Sequence, residues 1–186
     1  MMYAIIDFWF DGQPNAFRAL WFQRNDAFDA EIAARFGTSI DTIVDQLQLS
    51  SRHDPEWWLA MLIAHDQFPR NLFRGTPQAF AHDEKARLLA ASAIKLGMDR
   101  RVTPTQRLFF YLPFTHSEAL ADQDRCIDLC TAMVAENPDL QDCLTSALAH
   151  HAIIARFGRF PHRNAALGRA STAEELDYLA QLNAGW

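Results

Sequence analysis

The chain has 186 residues, a formal net charge of −6 and a pI of about 5.6. Its length suits one domain, and a composition of 49% hydrophobic and 22% charged residues excludes the disordered and fibrous classes. The acidic balance disfavours general binding to nucleic acid or an anionic membrane. The N-terminus lacks the basic region of a signal peptide, and the longest apolar run, residues 57–64, is shorter than the roughly 20 residues that cross a bilayer. We therefore expect a cytoplasmic protein that contacts neither nucleic acid nor a membrane.

The three cysteines, Cys126, Cys130 and Cys143, cannot all pair with one another, and none belongs to a Cys-x-x-Cys motif. Cys126 and Cys130 are four residues apart in a stretch with helical periodicity, which favours an apolar packing role over metal binding or redox chemistry. The cysteine count is consistent with a reducing compartment.

Apolar residues recur at helical spacing through most of the chain, and no sustained alternation supports strands. In chain order, the first clear stripe ends at Gly37, a typical residue for a helix C-terminus. The next helix is capped by Thr38 and extends to about Leu47.

Three helices begin with a capping residue followed by proline, which satisfies free N–H groups and fixes the first φ angle. These capping residues are Asp54, Thr76 and Thr103. The helix after Asp54 is apolar on several faces, so we expect it to lie at the centre of the fold. Proline breaks helices, and we predict that Pro69 ends this helix and that Pro113 ends the helix after Thr103.

The remaining signals indicate helices over residues 117–137 and 139–158, and a last helix to about Leu182 that opens with a capping box at Ser171 or Thr172. We therefore predict an all-α fold of eight or nine helices in antiparallel pairs, arranged as a compact bundle or a solenoid-like stack. No linker divides the chain, so we predict a single domain over residues 1–186.

Two segments about 92 residues apart resemble each other. Residues 63–71 and 154–164 share one pattern, an apolar helical stretch followed by Phe-Pro and then Arg-Asn. A further arginine follows each segment: Arg74 follows the first and Arg169 the second. This internal similarity suggests two related helical units.

The sharpest functional feature is a segment from Cys143 to Ala173 that holds arginines and histidines but no acidic residue. Its helix breaks at Gly158 and Pro161, so backbone N–H groups and arginines can point into one space that suits an anion. Alternatively, these arginines bond the last carbonyls of a helix or pair with buried acids elsewhere in the chain.

Asp66 lies near the end of the central apolar helix, where a carboxylate is unfavourable without a nearby cation. A turn held by an aspartate–arginine pair is the structural alternative to a ligand site. His116 and Glu118 could form an acid–base pair, but their spacing lacks the His-Glu-x-x-His frame of a metal site. We predict neither a metal nor a cofactor.

These patterns give two sets of candidate site residues. The candidate catalytic residues are His116, His162, Asp66 and Glu118. The candidate ligand-binding residues are Arg70, Asn71, Arg74, His116, Arg156, Arg159, His162, Arg163, Asn164 and Arg169.

The motifs Asp-Gln-Phe-Pro-Arg-Asn-Leu-Phe-Arg-Gly at 66–75, Pro-Phe-Thr-His-Ser-Glu at 113–118 and Arg-Phe-Gly-Arg-Phe-Pro-His-Arg-Asn at 156–164 resemble a mainly bacterial family. This family is catalogued as domain of unknown function 924, and the resemblance covers about residues 6–179. It implies a fold of the tetratricopeptide-like helical superfamily, and it implies no activity, substrate or catalytic residue.

Three functional hypotheses follow. The first is a binding protein with an Arg/His/Asn pocket for the carboxylate or phosphate of a small molecule or peptide end. The second is a hydrolase or transferase that acts on an anionic substrate with a His/Asp/Arg site. The third is a purely structural role, in which the motifs fasten turns to the core. No feature of the sequence predicts an oligomeric state.

Overall fold

A computed structural model describes residues 1–45 and 53–181 of the chain. Its α-helices are α1 (Met2–Phe10), α2 (Asp26–Phe36), α3 (Ile40–Asp45), α4 (Pro55–Leu62), α5 (Phe68–Leu72), α6 (Asp83–Lys95), α7 (Pro104–Thr115), α8 (Leu120–Glu136), α9 (Gln141–Phe157) and α10 (Ala173–Leu179). A π-helical turn, Ile63–Gln67, joins α4 to α5. Because these three segments are continuous, the described residues form nine helices and no strand, which confirms the predicted all-α fold.

Short 3₁₀ turns connect several of these helices. They are Ala19–Trp21, Pro77–Phe80, Met98–Arg101, Pro138–Leu140 and Pro161–Arg163. Helices α7, α8 and α9 pack on one another in chain order, and the short connections make them antiparallel neighbours. In the part of the chain that the structure describes, no helix has the length and apolar character that a bilayer crossing requires.

Several predicted caps are present. Asp54 accepts the Glu56 N–H at the start of α4, and Thr103 and Thr172 form capping boxes at α7 and α10. The prediction for α3 is wrong in detail, because the hydroxyl of Ser39, rather than Thr38, accepts a helical N–H. The predicted ends at Leu47 and Leu182 lie outside the described residues.

Two predicted helix ends are wrong. Pro69 does not stop the helix, because the π turn before it widens the coil at the position where proline lacks an N–H and crowds the preceding turn. Pro113 lies inside α7, two residues before its end, so only the last turn has to accommodate the missing hydrogen bond.

The central position predicted for the helix after Asp54 is confirmed by its burial. Every residue from Trp57 to Leu62 is buried, and the helix contacts α1, α6 and α7. Aromatic rings continue the core: Trp9 lies with its ring centre 5.9 Å from that of Phe68 and 5.8 Å from that of Phe109. The π turn therefore follows a buried apolar helix and places the buried polar residues His65, Asp66 and Gln67 beside the core.

Candidate functional site

One cavity brings together side chains from many parts of the chain. It has a volume of about 520 Å³ and lies between the loop before α2, the π turn, α5, the end of α7, the middle of α9 and the 3₁₀ turn after α9. Arginines and histidines line it, and among the described residues no carboxylate does. The basic lining residues are Arg24, Arg70, Arg74, His116, His150, His162 and Arg163. We call this cavity the arginine pocket.

The two similar Phe-Pro segments meet behind the arginine pocket. Arg70, from the first segment, places Nη2 3.0 Å from Oδ2 of Asp83. Arg163, from the second segment, donates from Nη1 to the same oxygen over 3.1 Å. Asp83 is the first residue of α6, where the helix dipole favours a negative charge. A single carboxylate therefore holds both arginines beside the cavity.

The two segments differ in local structure although they converge. The first remains helical through the π turn and α5. The second ends α9 at Gly158, whose φ of 68° lies in the left-handed region, and then passes through the extended Phe160 into a 3₁₀ turn. The break predicted at Gly158 and Pro161 is present, and it turns Arg163 back towards α6.

Asp66 and His116 form a buried pair at the wall of the arginine pocket. Asp66 is 1% exposed, and its Oδ1 lies 2.8 Å from Nδ1 of His116. Gln67 donates to the other carboxylate oxygen over 2.6 Å, and Arg70 donates to the Asp66 backbone carbonyl. The cation that the sequence requires near Asp66 is Arg70, whose Nη1 is 3.4 Å from Oδ1.

This pair has a defined charge state. Burial alone would raise the pKa of Asp66, but the positive charge of Arg70 and the hydrogen bond with His116 lower it to about 2. Burial and the nearby Arg70 lower the pKa of His116 below its ordinary value of 6.5. Since a carboxylate only accepts, Nδ1 of a neutral His116 carries the proton, and Nε2 is an unprotonated acceptor.

Arg163 is the most enclosed cation of the arginine pocket. Its guanidinium carbon lies 4.6 Å from the ring centres of both Phe80 and Phe160, a sandwich that favours a cation. Burial lowers its pKa to about 10, so it remains charged at neutral pH. Its Nε and the Nδ1 of His162 are buried without a hydrogen-bond partner among the described residues. Burial also lowers the pKa of His162 to about 4, so this ring is neutral at pH 7.

Asn71, in α5, and Arg74, just after it, line the pocket and bond this part of the chain to α2. Asn71 Nδ2 donates to Asp29 over 2.7 Å, and Arg74 Nε donates to the same carboxylate over 2.6 Å. Both side chains therefore have a structural partner as well as a place in the pocket lining.

Four predicted ligand residues lie outside the arginine pocket. Arg169 bonds Glu118 over 2.7 Å, Arg159 bonds Glu175 over 2.6 Å, and the exposed Arg156 lies 2.8 Å from Glu174. Asn164 donates to Ser171 and Glu175 and accepts from Arg169. Two of the acids that pair with these residues, Glu174 and Glu175, directly follow the acid-free segment of the sequence, whereas Glu118 precedes α8. This network fastens the chain after α9 to α10.

The candidate catalytic residues are also divided between the arginine pocket and the network that joins the chain after α9 to α10. His116 and Asp66 are bonded to each other, and His162 lines the arginine pocket. Glu118 belongs to the network with Arg169, where it also accepts the backbone N–H of Phe160 over 2.8 Å.

Several lining residues are absent from the two sets of candidate residues, although Gln67 and His150 lie in the segments that the sequence singled out. Arg24 reaches the pocket from the loop before α2, and Gln67, Ser146 and His150 reach it from helices. Arg24 directly precedes Asn25, the N-cap of α2, so its neighbours suggest only a helix start. Tertiary packing, rather than a local pattern, brings these residues to the site.

Comparisons with known proteins agree with this fold. The chain matches the family described as bacterial proteins of unknown function, DUF924, over residues 5–183. It is also similar to a solved structure, a protein of unknown function from Agrobacterium tumefaciens, with a TM-score of 0.83, 38% sequence identity and coverage of 96% of each chain. No curated protein matches the sequence. A match over almost the whole chain shows that the protein belongs to the bacterial DUF924 family.

Proposed function

We propose that the arginine pocket binds the carboxylate or phosphate group of a small molecule or a peptide end. The observation that carries this proposal is the lining, in which four arginines and three histidines face a cavity with no carboxylate among its described lining residues. The acids that hold the arginines lie behind them, so the cavity side presents N–H donors.

The site is built in advance of a ligand. Asp83 fixes Arg70 and Arg163, and Asp29 fixes Arg74, so little side-chain entropy is lost when an anion binds. Each guanidinium has five N–H donors, and only some of them form hydrogen bonds with these carboxylates. The Nε–H of Arg163, which is buried without a partner among the described residues, is one donor that these carboxylates do not use.

The same cavity has an apolar side, which limits the kind of anion that fits it. Trp21, Phe22, Phe80 and Phe160 line it together with the basic residues. Ligand sites of this size combine apolar walls with a few polar groups that orient the ligand. We therefore favour an organic anion with an apolar or aromatic body over a small inorganic ion.

Isothermal calorimetry tests this proposal with inorganic phosphate, AMP and a short peptide with a free C-terminal carboxylate as probes. Arg24→Ala is the informative variant, because Arg24 lines the pocket while its only described ion pair, with Asp26, is exposed. We expect this variant to fold normally and to bind AMP or the peptide about tenfold more weakly, which corresponds to about 1.4 kcal/mol. Arg156→Ala, outside the pocket, is the matched control. Absence of binding for all three probes, or equal losses in both variants, would contradict the proposal.

We infer a second candidate function, a hydrolase or transferase for an anionic substrate, from the Asp66–His116 pair. His116 lines the pocket, its Nδ1 is bonded to Asp66, and no described residue bonds its Nε2. In this reading Nε2 takes the proton of an attacking water or hydroxyl, Asp66 stabilises the resulting imidazolium, and Arg70 stabilises the developing negative charge.

A screen with the p-nitrophenyl esters of acetic, succinic and phosphoric acids tests this candidate. We expect His116→Gln to lower turnover at least 100-fold and His162→Gln, in the same pocket, to lower it much less. Because the base must be neutral and its pKa is lowered, the rate should fall with decreasing pH only below 6.5. Equal rates in the wild type and His116→Gln would contradict the catalytic proposal and would not affect the binding proposal.

A further inference from the structure

Three thiols gather between α8 and α9, apart from the arginine pocket. The Sγ atoms of Cys130 and Cys143 are 2.7 Å apart, and those of Cys126 and Cys130 are 4.0 Å apart. All three cysteines are unpaired. The shorter separation is below ordinary non-bonded contact and approaches the roughly 2.05 Å of a disulfide bond. The sulfur atoms of Cys130 and Cys143 are therefore direct neighbours.

The three thiols differ in access. Cys126 is 0% exposed and Cys130 is 1% exposed, whereas Cys143 is partly exposed at the start of α9. The Sγ atom of Cys126 also forms a hydrogen bond with the hydroxyl of Thr115, over 2.9 Å. A solute can therefore reach Cys143 first, and Cys130 is the thiol placed behind it.

The protonation of the two buried thiols also indicates that Cys143 reacts before Cys130. The hydrogen bond with Cys130, together with burial, raises the pKa of Cys126 far above the ordinary thiol range. The contact with Cys126 lowers the pKa of Cys130, but the contact with Cys143 and burial outweigh it and raise that pKa overall. The thiolate is the reactive form, so neither buried cysteine is the one that reacts first.

We propose that Cys130 and Cys143 are a redox-active dithiol that a hydroperoxide converts to an intramolecular disulfide between α8 and α9. The Cys143 thiolate attacks the terminal peroxide oxygen, the O–O bond breaks, and the alkoxide or hydroxide that leaves takes a proton. The Cys130 thiol then attacks the resulting sulfenic acid and releases water. Two thiols lose two electrons in total, and hydrogen peroxide is reduced to two waters.

The geometry explains why a disulfide would form between Cys130 and Cys143 and not between Cys126 and Cys130. The disulfide would link neighbouring turns of two antiparallel helices that are already packed together, and it would enclose a loop of about 14 residues. Cys126 and Cys130 are on one helix four residues apart, where the helical backbone would have to distort to form a bond. The sequence-based expectation of a packing role remains for Cys126.

Peptide mapping tests the inference. The full-length protein is reduced, freed of reductant and exposed to a small molar excess of hydrogen peroxide. Free thiols are then counted under denaturing conditions, and the protein is digested without reduction. We expect the count to fall from three to one, a single cross-linked peptide pair that contains Cys130 and Cys143, and full recovery of three thiols with dithiothreitol.

Two variants sharpen this test. Cys126→Ser should fall from two thiols to none with the same cross-link, and Cys143→Ser should keep both thiols after the same exposure. Three thiols remaining in the wild type would overturn the inference, as would a cross-link through Cys126 or oxidation of Cys143 to a sulfinic acid without a cross-link. The wild-type digest decides the question even if one variant does not fold.

Discussion

At the scale of single residues, Asp83 holds the site together. Its carboxylate accepts from Arg70 over 3.0 Å and from Arg163 over 3.1 Å, and both arginines are mostly buried. Removal of one partner from such an arrangement costs more than the pair contributes, because it leaves a charge that is buried without compensation. The structural role considered for the motifs is thus compatible with a ligand site: the same contacts that fasten the turn place the arginines.

We predict that Asp83→Ala lowers the free energy of unfolding by about 3 kcal/mol, the low end for a buried ion pair, because Asp83 is one-fifth exposed. Asp26→Ala removes the carboxylate of the exposed Arg24 pair and should cost less than about 1 kcal/mol. Urea denaturation of both variants measures this difference. Equal losses would mean that Asp83 does not hold the two arginines in solution.

At the scale of elements, the break after α9 directs Arg163 into the arginine pocket. Gly158 ends the helix with φ at 68°, and a Cβ built there meets no atom within 4 Å. The position therefore selects glycine for its backbone conformation and not for lack of space.

Gly158→Ala should destabilise the protein by about 1 kcal/mol, the cost of a left-handed conformation for a residue with a Cβ. Gly158→Asn should cost less, because asparagine tolerates this conformation better. Thermal unfolding of the two variants checks the order. An alanine variant as stable as the wild type would mean that the turn adopts another conformation in solution.

Local sequence signals predict part of this architecture and miss the rest for physical reasons. The caps at Asp54 and Thr103 depend on a few neighbouring residues, so the sequence reveals them. The helix continues past Pro69 because a π turn absorbs the proline, and this turn depends on packing around buried residues. The pocket combines residues as distant as Arg24 and Arg163, which no local pattern connects.

At the scale of the whole molecule, buried histidines make the fold sensitive to acid. Burial lowers the pKa of His65 to about 3 and that of His162 to about 4, both from an ordinary value of 6.5. In the unfolded chain these rings take up protons near pH 6.5, whereas the folded protein resists protonation. Between pH 6.5 and about 4 the unfolded state therefore binds more protons, and stability falls as the pH falls.

These two histidines together contribute at most about 2.7 kcal/mol per pH unit to the slope in that range, since each proton contributes about 1.36. His65→Gln and His162→Gln each remove one of these protons, so each should reduce the slope by up to about 1.4 kcal/mol per pH unit. Denaturant unfolding between pH 7 and 4 measures the slope. A stability that stays constant over this range would show that the two rings are not buried and neutral as described.

The proposed anion site has a direct spectroscopic test, a ¹H–¹⁵N NMR titration of the arginine side chains with AMP. We predict saturable shifts of the Nε–H signals of Arg70 and Arg163, the latter without a partner among the described residues, and no shift for Arg156, which pairs with Glu174 outside the pocket. Signals that stay unchanged, or that move equally for all three arginines, would contradict an anion site in this pocket.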